Sequence, residues 1–593
     1  MARACATPDG RWPVVEFVAE AERCPHCERH LTIQKSRRRT VFSLAGGALV
    51  AKEVLKACTP CQAVFTSAAL AHLVPSRERY GYDVIVYVGL ARYLRGKQRE
   101  EIAAELREHF ALTVSMASVS NVCDRFLVLL EALHTARVPA LRAAMASGYP
   151  LHFDATCEAG KGGLLVCLDG WRGWVLLAGR IPSEDEQYLR PLIERAVSQF
   201  GDPVATVCDL AKAGANALVA LRARGVPDLV CHYHFLRAVG EKLFDAPYAT
   251  LRKLLRGHGI SRDLHELLRE LKRYLRRADY TGRFGTGNVR EALPALVLWV
   301  LEDRGQKELG YPFGLTHLGL VQRCARALAK AEVWLPSPRN VVEQRALKAL
   351  ATIISRLQRE RLCAITVQRL ERNQIAFEEL RTVLRLSNAE LPSADGPMRQ
   401  RPMPALEAQR VQQIEQAVDQ YRDALETRAR DEAATPVNSP STTILTYLQR
   451  YGKRLFGHPI RRDEEGHMTA IVERTNNLAE HFFARQKQQL RRRLGRAHLG
   501  RDLDDQPAQA ALTANLRHAD YVRILCGSLE NLPEAFAELS EGHLDLTCGL
   551  DRTSRNSALQ AQVRALLEQE AIESYEVCQE PLTATVAVEP TVS

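Results

Sequence analysis

The sequence has 593 residues, enough for about three to five domains of ordinary size. Hydrophobic residues make up 46% of it and charged residues 25%, a composition that excludes a disordered or fibrous chain. The formal net charge of +10 favours a polyanionic partner, and nucleic acid is the commonest one, although many basic proteins bind none.

Cysteine usage and the absence of long apolar runs indicate where the protein resides. The fifteen cysteines are an odd number, and several stand singly in apolar runs, as Cys167, Cys208 and Cys363 do. This pattern is typical of a reduced cytosolic protein. The segment Met1–Glu16 has no apolar core and does not resemble a signal peptide. No stretch approaches the roughly 20 apolar residues of a membrane span, so we expect a cytoplasmic protein without a membrane partner.

Two cysteine pairs lie in a first module, residues 20–70. Cys24 and Cys27 form one C-x-x-C pair, and Cys58 and Cys61 form another, with thirty residues between the pairs. Zinc binds four thiolates in a tetrahedron, and each tight C-x-x-C turn offers two of them. The sequence therefore predicts one structural zinc ion here. The alternative is two pairs that are unmetallated or redox-active.

A basic segment, Lys35–Arg39, lies between the two cysteine pairs. In a hairpin on a zinc module, Arg37 and Arg38 could contact DNA phosphates. A solvated loop explains the same composition equally well.

Residues 78–140 carry a pattern that resembles a helix-turn-helix. Arg99–Leu106 predicts a first helix with Ile102 inward, and Ser115–Val122 predicts a second with Ser115 as its N-cap. The connection between them is longer than the usual turn, and no basic residue precedes Arg125 in the second helix. An ordinary helical hairpin is the alternative reading.

Residues 148–235 predict a mixed sheet flanked by helices. The expected strands are Pro150–Thr156, Gly163–Leu168, Gly173–Arg180, Val204–Asp209 and Asp228–Tyr233, with helices at Glu186–Phe200 and Gly214–Arg224. Asp169-Gly170 is a hairpin turn signal between the second and third strands. Three hairpin-linked strands followed by α/β alternation indicate an α+β core.

Two aspartates, Asp154 and Asp209, lie on the first and fourth of these strands. A carboxylate in a buried strand is costly unless it is paired or binds metal. Two divalent cations held by such carboxylates support phosphoryl transfer. The alternative is that each aspartate caps the next helix.

A third carboxylate is expected on a helix of the last predicted segment, residues 471–545, after a helical stretch at 236–470. Asn476 or Asn477 can cap this helix, which places Glu480 in its first turn, and Lys487 and Arg491 follow on about the same face. Six Lys or Arg residues and no acid occur in 485–496, which indicates a DNA-binding ridge that includes Arg492 and Arg493. A solvated basic helix is the alternative. The tail at 579–593 reads as disordered.

Four motifs together resemble the DDE transposases of bacterial insertion sequences, and more distantly the Mutator-like and hAT-like transposases. They are Phe153–Thr156, Val207–Lys212, the C-x-x-H motif Cys231–His234, and Thr475–Phe483 with its downstream basic residues. The resemblance covers roughly residues 20–500. It implies an RNase H-like core interrupted by a large all-α insertion.

The resemblance also implies residue roles. Asp154, Asp209 and Glu480 would coordinate two Mg²⁺ (or Mn²⁺) ions, with Glu473 as the rival third ligand. Cys231 and His234 would support the site, bind metal or pack under the insertion. Asp169, Asp185 and Asp202 are weaker candidates. In the insertion, Trp299 and Trp334 could stack on a flipped base, but core packing is the expected role of each.

The function that follows is DNA transposition. The enzyme would bind transposon terminal inverted repeats, cleave a strand and join it to target DNA, as a homodimer or larger assembly on DNA near the bacterial nucleoid. Two alternatives remain at this point: a transposase-derived DNA-binding regulator without catalysis, and an RNase H-like structure-selective nuclease or resolvase. The presence of all three carboxylates favours the enzyme.

Overall fold

The computed structural model describes residues 12–156, 163–277, 289–302, 309–335, 341–386, 403–432, 439–495, 499, 502–503 and 505–539. The predicted tail at 579–593 lies outside these residues. The chain divides into two compact units. The first comprises the described residues up to Pro203, the segment Asn216–Leu221 and the described residues from Ala479 onward; the second comprises Val204–Ala215 and Arg222–Leu478.

The first unit begins with a small sheet and a short helix. Its elements are β1 (Val14–Val18), β2 (Thr32–Ser43), β3 (Gly47–Cys58), β4 (Ala63–Phe65) and α1 (Ala68–Leu73). Strand β3 is central, parallel to β1 and antiparallel to β2 and β4. The basic segment Lys35–Arg39 is part of β2, which forms a hairpin with β3, so the hairpin alternative holds and the solvated loop does not. Alternation explains the strand, because Val41 packs inward with Leu49 and Leu70.

Three helices follow: α2 (Tyr82–Tyr93), α3 (Arg99–Phe110) and α4 (Met116–Ala144). Ser115 caps α4 as expected, its Oγ accepting the Ser118 N–H at 3.1 Å. Ile102 is fully buried on α3, as its spacing predicted. Helix α4 runs for 29 residues, well past the expected end at Val122, because apolar residues continue at helical spacing to Leu141.

The larger sheet begins with three antiparallel strands, β5 (Pro150–Thr156), β6 (Gly163–Asp169) and β7 (Val175–Ile181), followed by α5 (Glu186–Phe200). The Asp169-Gly170 turn forms as predicted. Asp169 is buried and accepts the Trp171 N–H at 2.8 Å. A Cβ at Gly170 would lie 2.4 Å from the His152 ring, so only glycine fits this turn.

The second unit contains β8 (Ala205–Cys208) and β9 (Asp228–Val230). The short helices α6 (Lys212–Ala217) and α7 (Val219–Ala223) between these strands are divided between the two units. Strands β8 and β9 are parallel, with Thr206 opposite Asp228. Within the first unit the strand order is β7-β6-β5, and within the second β8 pairs with β9. Strand β9 ends three residues before the predicted end, because Cys231 begins a helix.

Long helices then build one apolar core. They are α8 (His232–Gly257), α9 (Ile260–Arg277), α10 (Val289–Leu301), α11 (Thr316–Trp334), α12 (Val341–Gln358), α13 (Arg361–Val383), α14 (Pro404–Glu432) and α15 (Pro440–Leu455). Phe244 and Phe377 meet edge-on at its centre, with ring centroids 5.4 Å apart. An antiparallel hairpin, β10 (Ile460–Arg462) with β11 (Met468–Ile471), interrupts the stretch expected to be all-helical. None of the described helices is long and apolar enough to cross a membrane.

Helix α16 (Asn477–Leu494) carries the basic segment, and short elements follow: a 3-10 helix (Ala508–Arg517), α17 (Ala519–Cys526), a second 3-10 turn (Leu529–Asn531) and α18 (Leu532–Ala537). Asn515 closes the free edge of β7. Its side-chain oxygen accepts the Val175 N–H at 2.7 Å, and its amide donates to the Val175 carbonyl at 2.8 Å. The last described segment thereby satisfies an edge strand that would otherwise be open.

Candidate functional site

The four predicted zinc ligands come together. The Sγ atoms of Cys24, Cys27, Cys58 and Cys61 all lie within 4.8 Å of one another, so the group could hold a metal ion. The 24–27 turn lies between β1 and β2, and both of these strands pair with β3, which ends at Cys58. This pairing brings the two cysteine pairs together. The Sγ atoms of Cys27 and Cys58 are 3.4 Å apart.

The thiols of this four-cysteine group do not ionise independently. Burial opposes ionisation of Cys24, but the backbone N–H groups of His26 and Cys27 outweigh it and lower its pKa to about 7. Hydrogen bonding with the Cys27 thiol raises the pKa of Cys61 to about 12. One thiolate is thus favoured, and each further one is opposed by its neighbours. A bound dication removes that conflict.

The basic strand β2 offers fewer free charges than its sequence indicates. Arg37 forms an ion pair with the buried Glu53 at 2.6 Å. Arg39 donates to the carbonyls of Pro75 and Glu78, which ties β2 to the segment before α2. Arg38 is exposed on the opposite face of the strand. Of the two predicted DNA contacts, Arg38 is therefore the more available.

Asp154 lies within β5 in the first unit, opposite Val166 of β6. The strand is buried up to Phe153, and Asp154 is the first half-buried position. Its Oδ1 accepts the Ala155 N–H at 2.8 Å. The carboxylate therefore stands where the strand leaves the core, and not in its fully buried part.

Asp209 follows the buried strand β8 in the second unit and is half-buried. Its Oδ1 accepts the Ala211 N–H at 3.0 Å, just before α6 begins. This bond agrees in part with the alternative interpretation, in which Asp209 caps the next helix. It also acts on His234. Burial lowers the pKa of His234, and the negative charge of Asp209 opposes that shift. The second member of the C-x-x-H motif is thus an electrostatic neighbour of Asp209.

The first member of that motif, Cys231, is fully buried at the N-terminus of α8. Its N–H donates to the Cys208 carbonyl at 2.9 Å, and its Sγ accepts the Asn476 N–H at 3.2 Å. The His232 N–H donates to the Arg474 carbonyl at 2.9 Å. Two hydrogen bonds therefore hold the residues directly before α16 on the start of α8. Sequence reasoning missed this link, because a backbone N–H leaves no signal in the sequence.

A buried arginine reinforces this link. The Arg474 guanidinium is 6% exposed and donates to the Leu384 carbonyl at 2.7 Å, at the C-terminal end of α13. It also lies 3.6 Å from Glu407. The segment before α16 is therefore bonded on two sides. Glu473, the rival third ligand, precedes this anchor.

Helix α16 carries Glu480 half-buried in its first turn. Lys487 is half-buried, and Arg491 and Arg492 are exposed, so part of the basic face is open to a large polyanion. Arg493 differs, because it is buried at 8% exposure. It is neither the solvated residue nor the open ridge residue that the sequence indicated.

The two tryptophans of the helical stretch have different surroundings. Trp299 is 38% exposed on α10. Trp334 packs partly buried against the helical core, and the Lys330 ammonium lies 5.3 Å from its ring centroid. Core packing therefore describes Trp334 better than Trp299.

Comparison with known proteins adds no name to these sites. No protein-family model matches the chain. No curated protein is similar to it in sequence.

Proposed function

We propose that the chain is a DNA transposase that cleaves and joins DNA strands by metal-dependent phosphoryl transfer. The observation that carries the proposal is the hydrogen bond from the Asn476 N–H to Cys231 Sγ. It joins the C-x-x-H motif to the Asn-Asn segment that begins the Glu480 helix, across more than two hundred residues of inserted helices. Such a bond is expected if both motifs serve one centre.

The fold elements support the same proposal. Along the chain, three antiparallel strands are followed by a helix, a strand, helical turns and a strand parallel to the previous one. This order agrees with the one that the resemblance implies for an RNase H-like core. Asp154 lies on its first strand and Asp209 directly after its fourth.

Asp154, Asp209 and Glu480 would hold Mg²⁺, because hard carboxylate oxygens are the donors that Mg²⁺ prefers. The half-buried position of each fits this role, since a carboxylate there keeps an open side. Bound metal would supply activation of water or a 3′-hydroxyl and stabilisation of the leaving oxygen. His234, neutral after burial, would restrain the orientation of Asp209 without adding charge.

The DNA would be held by modules outside this centre. The four-cysteine group would bind zinc and fix the end of β3, with Arg38, and to a lesser degree Arg37, directed to phosphates. The α3–α4 pair would act as the helix-turn-helix. Lys487, Arg491 and Arg492 would contact the backbone near Glu480, and two copies of the chain would assemble on paired DNA ends.

Strand cleavage with isosteric variants tests the proposal. Labelled duplexes taken from the DNA flanking the coding sequence are incubated with the full chain and Mg²⁺ or Mn²⁺. Asp154→Asn, Asp209→Asn and Glu480→Gln keep side-chain size and hydrogen bonds but lose the charge, so each should abolish nicking and leave duplex binding intact. Asp185→Asn, at a helix N-cap, is the matched control and should nick normally.

Three results would contradict parts of the proposal. Binding without nicking by the unaltered chain would identify a regulator. Nicking of flaps or four-way junctions in preference to flanking duplexes would identify a structure-selective nuclease. Full activity in Glu480→Gln with loss in Glu473→Gln would move the third ligand to Glu473.

A further inference from the structure

The buried Arg493 of α16 has no charge partner in the described part of the chain. Its side chain is 8% exposed, and its Nε is enclosed without a hydrogen bond to any described residue. No described carboxylate forms an ion pair with it. An arginine removed from water in this way is costly unless an anion compensates its charge.

Two further arginines, Arg92 and Arg99, act electrostatically on the same side chains as Arg493. Arg92 of α2 and Arg493 both influence Tyr93 and Cys123, and Arg99 of α3 also reaches Cys123 electrostatically. Arg92 donates to the Lys97 carbonyl at 3.0 Å. Arg99 donates to Ser120 Oγ at 3.0 Å. Neither of these contacts neutralises charge, so three charged guanidinium groups lie within electrostatic range of one buried thiol.

Burial raises the pKa of both Tyr93 and Cys123, and the negative charge of Asp124 adds to the rise, so Asp124 is the acid within electrostatic range of the cluster. The nearby Glu105 forms an ion pair with Lys97. One carboxylate therefore faces three guanidinium groups. Burial, and then the positive charge of Arg92, lower the pKa of Arg493 to about 10. The cluster holds more positive charge than the described chain balances.

We propose that Arg92, Arg99 and Arg493 form a binding site for one phosphate group of the DNA backbone. Several guanidinium groups around one point match the oxygens of a phosphate, which charge-assisted hydrogen bonds hold strongly. Arg491 and Arg492 are exposed on the same helix, so a backbone can run from them to this site. Helices α3 and α4, the predicted helix-turn-helix, flank it. The choice of DNA as the phosphate source rests on the proposed function; the anion site itself does not.

The test uses the full zinc-loaded chain and two probes, inorganic phosphate and a 30-base-pair duplex (about three turns) from the flanking DNA. Arg493→Met replaces the buried charge by an apolar chain of similar length, and Arg99→Met changes an exposed member without touching the core. Arg523→Met, an exposed arginine of α17, is the matched control. Thermal midpoints are measured in chloride and in phosphate at equal ionic strength, and duplex affinity is measured over a salt series.

For Arg493→Met we expect an unchanged or higher thermal midpoint in chloride, because an uncompensated buried charge is gone. The extra stabilisation by phosphate should disappear in Arg493→Met and Arg99→Met. Each should weaken duplex binding roughly tenfold, and lower the slope of log affinity against log salt by about one. Arg523→Met should behave as the unaltered chain in all three measurements.

Each other outcome overturns a defined part. Wild-type duplex affinity and salt slope in both variants would remove the DNA phosphate from this site. Equal phosphate stabilisation of all forms would show a general salt effect and overturn the anion site. Phosphate stabilisation that the variants lose, in a chain that binds no duplex, would keep the anion site, assign it to a free phosphate ligand and overturn the proposed function. If Arg493→Met does not fold, its buried charge is structural, and Arg99→Met decides the rest.

Discussion

The Cys231 sulfur accepts a hydrogen bond in the buried interior of the second unit. The thiol is fully buried, and the N–H that it accepts, from Asn476, is buried with it. Without an acceptor, a buried N–H costs about 1–3 kcal/mol. Cys231 therefore acts as a positioning residue for the start of α16, whichever reaction the centre performs.

We expect Cys231→Ala to lower the free energy of unfolding by about 1–3 kcal/mol, because it leaves the Asn476 N–H without its acceptor. The nicking rate should fall by more than the loss of folded protein accounts for, since the Glu480 helix loses its anchor. Cys231→Ser should recover part of both, because its hydroxyl can accept the same N–H. Urea unfolding and flanking-duplex nicking are the two measurements.

The control for this prediction is Cys363→Ala, in α13 of the same unit. Cys363 is buried among apolar side chains at 3% exposure, so the substitution removes the same volume without orphaning an N–H. A nicking rate in Cys231→Ala that falls no more than in Cys363→Ala would show that the sulfur only packs.

The positions of single residues were predictable where a local sequence pattern determines the role of the side chain. Ser115, the four cysteines and the place of Asp209 after its strand all follow from local patterns. Arg493 did not, because a helix face that is basic in sequence says nothing about the side of the helix that another element covers. The groups that act on the charge of Arg493, which are Arg92, Tyr93 and Cys123, lie on α2 and α4, hundreds of residues earlier.

At the scale of elements, the N-terminal sheet has a small apolar core beside its four-cysteine group. Its apolar cluster has five buried members, Val41, Leu49, Ala51, Leu70 and Val74. So small a core rarely stabilises a module alone, and metal binding commonly supplies the rest of the folding free energy. We therefore expect metal at the four-cysteine group to stabilise the long β2–β3 hairpin, which carries Arg37 and Arg38.

We expect one zinc ion per chain in the purified protein, lost on chelation and in Cys61→Ser. Cys61 is exposed, so the substitution should cost a ligand and almost no packing. Loss of zinc should open the β2–β3 hairpin to proteolysis before the rest of the chain. Metal analysis and timed proteolysis measure both effects, with Cys526→Ser as the control. A metal-free protein with a protease-resistant hairpin would rule out the zinc site.

Strands and helices followed from the sequence where hydrophobic period and turn signals agreed. The spans of β5 and α5 match their predictions, and the Asp169-Gly170 turn joins β6 to β7 as expected. The end of β9 did not, since Asp228–Tyr233 is apolar enough for either structure and the helix that begins at His232 is decided by packing. The β10–β11 hairpin was missed for a similar reason: its two short strands carry mixed residues without clear alternation.

At the scale of the whole molecule, each unit buries histidine in neutral form. In the first unit, His134 lies between Tyr521 and the Leu176 carbonyl, and burial lowers its pKa to about 4. In the second, burial lowers the pKa of His458 to about 4 and that of His232 well below its usual value. The ring Nε2 atoms of His232 and His458 both face the Leu455 carbonyl, at 2.6 and 2.9 Å.

These histidines should make both units sensitive to acid. In the unfolded chain each titrates near pH 6.5, so between about pH 6.5 and 4 the unfolded state binds protons that the folded state does not. The free energy of unfolding therefore falls as pH falls through that window, by about 3 kcal/mol for each of His134 and His458, with about 2 kcal/mol of that gone by pH 5. Above pH 7 the dependence should vanish.

Urea midpoints at pH 7.5, 6.0 and 5.0 measure this effect, and His134→Gln and His458→Gln separate the two units. Glutamine keeps a side-chain N–H donor but has no proton to gain, so each variant should lose stability at pH 7.5 and show a flatter decline toward pH 5. Acid release of zinc affects the unaltered chain and both variants alike, and it cancels in the comparison. Parallel declines in all three proteins would mean that these imidazoles accept protons in the folded state, and that the acid sensitivity arises elsewhere.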